Sequence, residues 1–167
     1  MTRAALLVAA CAALALGAVT CKRSGPDWRI LQLYAGERTA NLLAHPASVR
    51  AFPLDPVRRE GPPGDVHAGP FAAAGEVRDV PADAAAELSK ILSDAASYDW
   101  QRGPKRGPFR PQLGLWFVRG SYVLELAVDL DLAQLGVYAG GQTLGLQSVD
   151  PAVARLAEIA GKVLPAR

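Results

Sequence analysis

The stretch QLGLWFVRGSYVLELAVDLDLAQLGVYAGGQTLGLQ, residues 112–147, decides the fold. If Gly120-Ser121 is a two-residue hairpin turn, counting outward pairs Phe117 with Leu124, Leu115 with Leu126 and Leu113 with Val128. Side chains alternate along a strand, so these six share one face, while Trp116, Val118, Val123 and Glu125 share the other. Reading Gly140-Gly141 as a second such turn pairs Val137 with Leu144 and Leu135 with Leu146, again on one apolar face. Two independent turns align their apolar residues, and a slip of one residue would break both faces. The stretch therefore predicts an antiparallel β-meander with one apolar face to cover.

The cover is predicted to be helical. Pro81 opens a helix with Asp83 in its first turn, where a carboxylate suits the helix dipole. Its buried stripe is Ala84, Leu88, Ile91, Leu92 and Ala95, with Glu87 and Lys90 paired on the wet side. Asp150-Pro151 reads as the N-cap and first residue of another helix. That helix buries Val153, Leu156, Ala157, Ala160, Val163 and Leu164, leaves Arg155 and Glu158 outside, and ends at Pro165. Upstream, Ile30, Leu31, Leu33, Tyr34, Leu42 and Leu43 have helical spacing interrupted by Gly36, which predicts a helix over 37–44 stopped at His45-Pro46. Residues 49–54 suit a strand that Pro53 and Pro56 confine to a sheet edge. Residues 61–70 read as a loop, followed by a weak strand near 71–79. Strands beside helices, with a meander, give an α+β fold: an antiparallel sheet with helices packed on one face.

The N-terminus reads as an address. Arg3 precedes Ala4–Val19, 16 uncharged apolar or small residues. At ~1.5 Å per residue they span ~24 Å, short of a ~30 Å hydrocarbon core. Charge order and length indicate a secretory signal over residues 1–20, with a polar tether over 21–27 and one α+β domain over 28–167. A retained membrane anchor and ordinary cleavage near Gly17 or Thr20 are the alternatives. Ala18-Val19-Thr20-Cys21 resembles a bacterial lipobox, although that motif favours Leu where Ala18 stands and a small residue where Thr20 stands. In such signals the cysteine becomes the first residue and carries lipid, which marks Cys21 as the lipid-attachment residue. Cys11 follows a closer local match, but too few residues precede it.

Composition limits the chemistry. The 18 basic and 16 acidic residues leave a net charge of +2, too little for a dedicated nucleic-acid binder. Two cysteines, both at or before Cys21, leave the expected mature chain without a thiol, and His45 and His67 read as surface residues. No metal or cofactor is expected. Gly136–Thr143 is one residue from a phosphate-binding loop, but Gln142 stands where that motif needs Lys, and the glycines serve a hairpin. No nucleophile elbow, Cys–His pair or zinc-protease helix is present, so no catalytic residue is assigned. Asp129 and Asp131 would share a face on a strand, as paired carboxylates for acid–base work would. The reading preferred is that they end a strand and shape a turn.

Residues 98–110, YDWQRGPKRGPFR, hold four basic and three aromatic residues in thirteen positions. Aromatics stack on sugars or bases, and cations hold phosphate or carboxylate. Trp100, Arg102, Lys105, Arg106 and Arg110 are therefore the candidate contacts for an anionic ligand. Against this stands a solvated loop whose aromatic ends dock on the core.

A resemblance adds context. Leu92-Ser93-Asp94 with Ser97-Tyr98, Phe109-Arg110-Pro111 leading into Leu113–Phe117, Tyr122–Asp131 and the closing helix to Leu164-Pro165 resemble a loose group of uncharacterised small secreted bacterial lipoproteins. Only the C-terminal half is covered. That group carries cysteines where Pro108, Ala127 and Leu130 stand here, so the resemblance implies export and fold but no thiol chemistry. The expectation is an exported envelope protein in the periplasm or at the outer membrane or cell surface. It is anchored to a membrane through lipid and acts by binding or structure rather than catalysis, with an anionic envelope polymer or a protein as the expected partner. The alternative is a hydrolase-type envelope enzyme whose site is assembled from distant residues.

Overall fold

A computed structural model describes residues 25–57 and 65–164. The signal segment, Cys21 and most of the tether lie outside the described residues, as do residues 58–64 of the Gly/Pro-rich stretch. Among the described residues, four α-helices and eight strands follow in chain order: α1 (Trp28–Leu33), α2 (Glu37–Ala44), β1 (Ser48–Pro53), β2 (His67–Ala68), β3 (Phe71–Ala72), β4 (Arg78–Asp79), α3 (Ala82–Ser93), β5 (Leu113–Arg119), β6 (Tyr122–Asp129), β7 (Gln134–Ala139), β8 (Gln142–Ser148) and α4 (Val153–Val163). Six strands form one antiparallel sheet in the order β4-β1-β5-β6-β7-β8, and β2 pairs with β3 separately. The fold is α+β, and the β5–β8 meander makes up four adjacent strands of the sheet, out to the edge strand β8.

The first hairpin has the predicted register. Phe117 opposes Leu124, Leu115 opposes Leu126, and Leu113 opposes Val128. Gly120 takes φ 59° at the first turn position, the left-handed conformation a tight hairpin needs there. The second turn is also where the sequence places it, with Gly140 and Gly141 both at positive φ. Its register differs. A bulge between Val137 and Tyr138 gives β8 one extra residue, so Val137 opposes Gly145 and Leu135 opposes Gln147. The reason lies in α1: a Cβ on Gly145 would sit 2.6 Å from Leu33 Cδ1 and 3.1 Å from the Leu33 carbonyl oxygen. The bulge brings the residue without a side chain under the helix. Leu144 still packs against the main core.

The helices cover one face. Leu115, Phe117, Leu124, Leu126 and Val137 are fully buried there with Leu43, Leu88, Ile91, Leu92 and Leu156. The opposite face has a second, smaller core of Phe52, Leu54, Ala68, Phe71, Ala127 and Tyr138, covered by the 65–77 segment, with Trp116 and Phe109 packed against it.

Several elements correct the sequence reading. The helical spacing before Gly36 belongs to a separate helix, α1, whereas α2 occupies 37–44 as predicted. Strand β1 is interior rather than an edge, because the two-residue β4 pairs with Arg50 and Ala51. Pro53 sits beyond those pairs, where no β4 partner needs its missing N–H, and its carbonyl accepts from Ala74 N at 2.8 Å. The strand near 71–79 is two short pieces, β3 and β4. Glu87 meets Arg155 of α4 at 3.3 Å rather than Lys90. The last helix is capped at Ala152, since the Asp150 carboxylate accepts from Ser148 and Lys105 instead, and it buries Ile159 while the expected Ala157 is exposed.

Candidate functional site

The 98–110 segment is fastened along its length. Tyr98 is buried, and its hydroxyl donates to the Leu92 carbonyl at 2.6 Å while lying 2.8 Å from the Tyr34 hydroxyl. Burial pushes both phenols up, so they stay neutral. Asp99 continues the sheet edge: its N–H donates to Ser148 O at 3.0 Å, and its carbonyl accepts from Gln147 Nε2 at 2.6 Å. The Trp100 indole N–H donates to Ala95 O at 2.7 Å, and the Arg29 guanidinium lies 5.3 Å from the ring centre. Phe109 packs edge-on against Phe71 with ring centres 5.5 Å apart. Trp100 and Phe109 therefore dock on the body of the protein, which keeps the loop in place.

The four cations divide into two pairs. Arg102 reaches Asp99 at 3.6 Å with its side chain largely in solvent. Lys105 Nζ meets Asp150 Oδ1 at 2.5 Å. The hydrogen bond from Lys105, helped by one from Ser148, holds the Asp150 carboxyl below its ordinary range. Arg106 and Arg110 are exposed, and neither guanidinium has a carboxylate partner among the described residues. The segment thus presents two free guanidinium groups, at positions 106 and 110, on an otherwise charge-balanced loop.

Asp129 and Asp131 close a turn. Asp129 is buried, accepting from Arg110 N at 2.8 Å through one oxygen and from Leu132 N at 2.9 Å through the other. Asp131 accepts from Gln112 Nε2 at 3.0 Å. With both oxygens of Asp129 committed to the backbone, the pair is arranged for structure rather than proton transfer. His45 is exposed as expected, whereas His67 is half-buried. His67 Nδ1 lies 2.7 Å from Asp65 O, its carbonyl accepts from Trp116 Nε1 at 2.6 Å, and its Nε2 stands 3.8 Å from Glu125. Glu125, buried on the outer sheet face, accepts from Gly69 N at 2.8 Å. Among the described residues no group of three potential ligands is placed to hold a metal ion, and no helix is long and apolar enough to cross a membrane.

Sequence reasoning passed over three surface features. Trp28 is 69% exposed beside Trp100, and both line a shallow cavity of about 360 Å³ along β8. A larger trough of about 580 Å³ runs between residues 44–49 and α3, where Ala82, Ala85 and Ala86 leave room and the Ser89 and Ser93 hydroxyls have no hydrogen-bond partner. A third cleft, of about 340 Å³, holds Arg38, Arg119 and Tyr122. None had a local signal, because each is assembled from residues distant in the chain. No protein-family model, curated protein or solved structure matches the chain.

Proposed function

We propose that the chain is an exported cell-envelope protein, held at a membrane by lipid on Cys21 and acting by binding an anionic partner. The observation that carries this reading is the order of residues at the start of the sequence. One cation, a 16-residue apolar run and a cysteine at its end are followed at once by Lys22-Arg23. The resemblance to small secreted lipoproteins supports the same reading. The binding half draws on the 98–110 loop, whose docked aromatics hold Arg106 and Arg110 outward without carboxylate partners among the described residues. Arg102 and Lys105, already paired, add less.

Two measurements test it. Cys21→Ala should move the protein from the membrane to the soluble fraction; an intact mass showing an unmodified first residue elsewhere removes the anchor. Replacing Arg102, Lys105, Arg106 and Arg110 with Ser should lower retention on anionic liposomes or peptidoglycan at low salt. The difference should shrink at moderate salt, where charges are screened over ~8–10 Å. Equal retention at both salts removes the loop as a contact surface.

A further inference from the structure

Most described cations lie within ion-pair distance of a carboxylate, as Arg78 does with Glu76 and Arg155 with Glu87. Five described ones do not: Arg38, Lys90, Arg106, Arg110 and Arg119. Two of these five, Arg38 and Arg119, line one cleft, between α2 and the β5–β6 hairpin, and no carboxylate contributes to its wall.

The Arg38 guanidinium lies over the Tyr122 ring, its central carbon 3.7 Å from the ring centre, and Tyr122 is itself 53% exposed. Stacking uses the face of a guanidinium and leaves its N–H edge available. Arg38 is thus held in place with its donors unspent. It also stands in the first turn of α2, where the carboxylate of Glu37 suits the helix dipole and the cation of Arg38 opposes it. A second guanidinium in the same cleft adds like-charge repulsion. A bound anion offsets both costs. Thr39 and Asn41 add a hydroxyl and an amide to the wall, and Leu42, Val123 and Ala139 make an apolar part of it. The volume, about 340 Å³, falls at the small end of ligand sites.

We propose that this cleft binds a phosphate monoester on a short apolar body, with Arg38 and Arg119 on the phosphate and Leu42, Val123 and Ala139 against the apolar part. A phosphate monoester carries about −1.5 to −2 charges at neutral pH, which matches two guanidinium groups better than a carboxylate does. The cleft shares no lining residue with the 98–110 loop, and the inference stands whether or not Cys21 carries lipid.

The test is calorimetric titration of the whole Cys21→Ala chain with octyl phosphate, octanoate and octyltrimethylammonium. Octyl phosphate should bind at least ~10-fold more tightly than octanoate, and the cation should not bind. Arg119→Gln, on an exposed hairpin end, should weaken octyl phosphate by ~10-fold or more without changing the melting temperature. Arg38→Gln should do the same and also release the Tyr122 ring. Equal binding of anion and cation, or equal affinity in wild type and Arg119→Gln, overturns the proposal. Co-sedimentation with phosphatidic acid vesicles then separates the sources. Retention lost in Arg119→Gln assigns a lipid headgroup, whereas octyl phosphate binding lost with vesicle retention unchanged assigns a free phosphate ester. The 98–110 and Cys21 variants leave this cleft intact, so failure of the anchored-binder reading is separately visible.

Discussion

At Ala35 the backbone turns left-handed, φ 55°, in a residue that carries a Cβ. The hydrogen bonds explain why it must. Gly36 N donates to Leu31 O at 2.7 Å and Ala35 N to Gln32 O at 3.2 Å, the paired bonds of a Schellman ending to α1. Glycine usually occupies the position Ala35 holds, and the glycine here stands one residue later. Ala35→Gly should therefore stabilise the protein by ~0.5–1 kcal/mol, measured as a shift of the denaturant midpoint at constant slope. A loss of stability would show that Ala35 is not strained. The neighbouring Tyr34 illustrates a different cost. Its buried hydroxyl lies against that of Tyr98, which in turn donates to Leu92 O. Tyr98→Phe leaves the Tyr34 hydroxyl and the Leu92 carbonyl without this partner and should cost ~1–3 kcal/mol. The double change with Tyr34→Phe should cost less than the sum of the singles, because the orphaned phenol is then gone. Strict additivity would show that the two hydroxyls do not interact.

The same helix shows why some elements were legible and others not. The β5–β6 hairpin could be read because turn and alternation are both local and agree. Helix α1 could not, since its six residues fall below the length at which periodicity shows, and Gly36 looked like an interruption rather than a boundary. The bulge in β8 was unreadable because it depends on a contact between distant residues, Leu33 resting over Gly145. The loop at 98–110 was visible as composition, but which of its cations are free depends on Asp150, far along the chain. Helix α1 is short enough that its cap matters. Asp27 accepts from Arg29 N at 2.9 Å and pairs with the Arg29 guanidinium at 2.7 Å. The side-chain hydrogen bond from Arg29, then the backbone one, hold the Asp27 carboxyl down at about 2 against an ordinary 3.8. Since the folded value is the lower one, the contribution to stability is present above the ordinary value and is lost as pH falls from about 3.8 through about 2. Fluorescence of Trp28 and Trp100, followed from pH 5 to 2, should report loosening of α1 in that window, and Asp27→Asn should diminish the change, leaving what Asp150 and Glu158, also held below their ordinary values, contribute. A transition unchanged by Asp27→Asn would place the acid sensitivity elsewhere.

One sheet serves two cores of unequal size, and the whole molecule should respond differently when each is damaged. Strand β6 belongs to both. Leu126 points into the helical core and is fully buried, while its neighbour Glu125 lies on the outer face and holds the 65–77 segment through Gly69 N. Deleting most of a buried leucine leaves a cavity that the surrounding strands and helices cannot close. Leu126→Ala should cost ~2–5 kcal/mol and speed amide exchange throughout the slowly exchanging core. Glu125→Ala acts on a cover instead. It removes the acceptor for Gly69 N and the carboxylate facing His67, but leaves the β5–β6–β7 ladder and the helices untouched. The expected result is faster exchange confined to residues 65–77, with the central strands still protected. If exchange instead accelerates equally in β6 and in 65–77 after Glu125→Ala, the outer cover is not a separable unit, and the two cores open together.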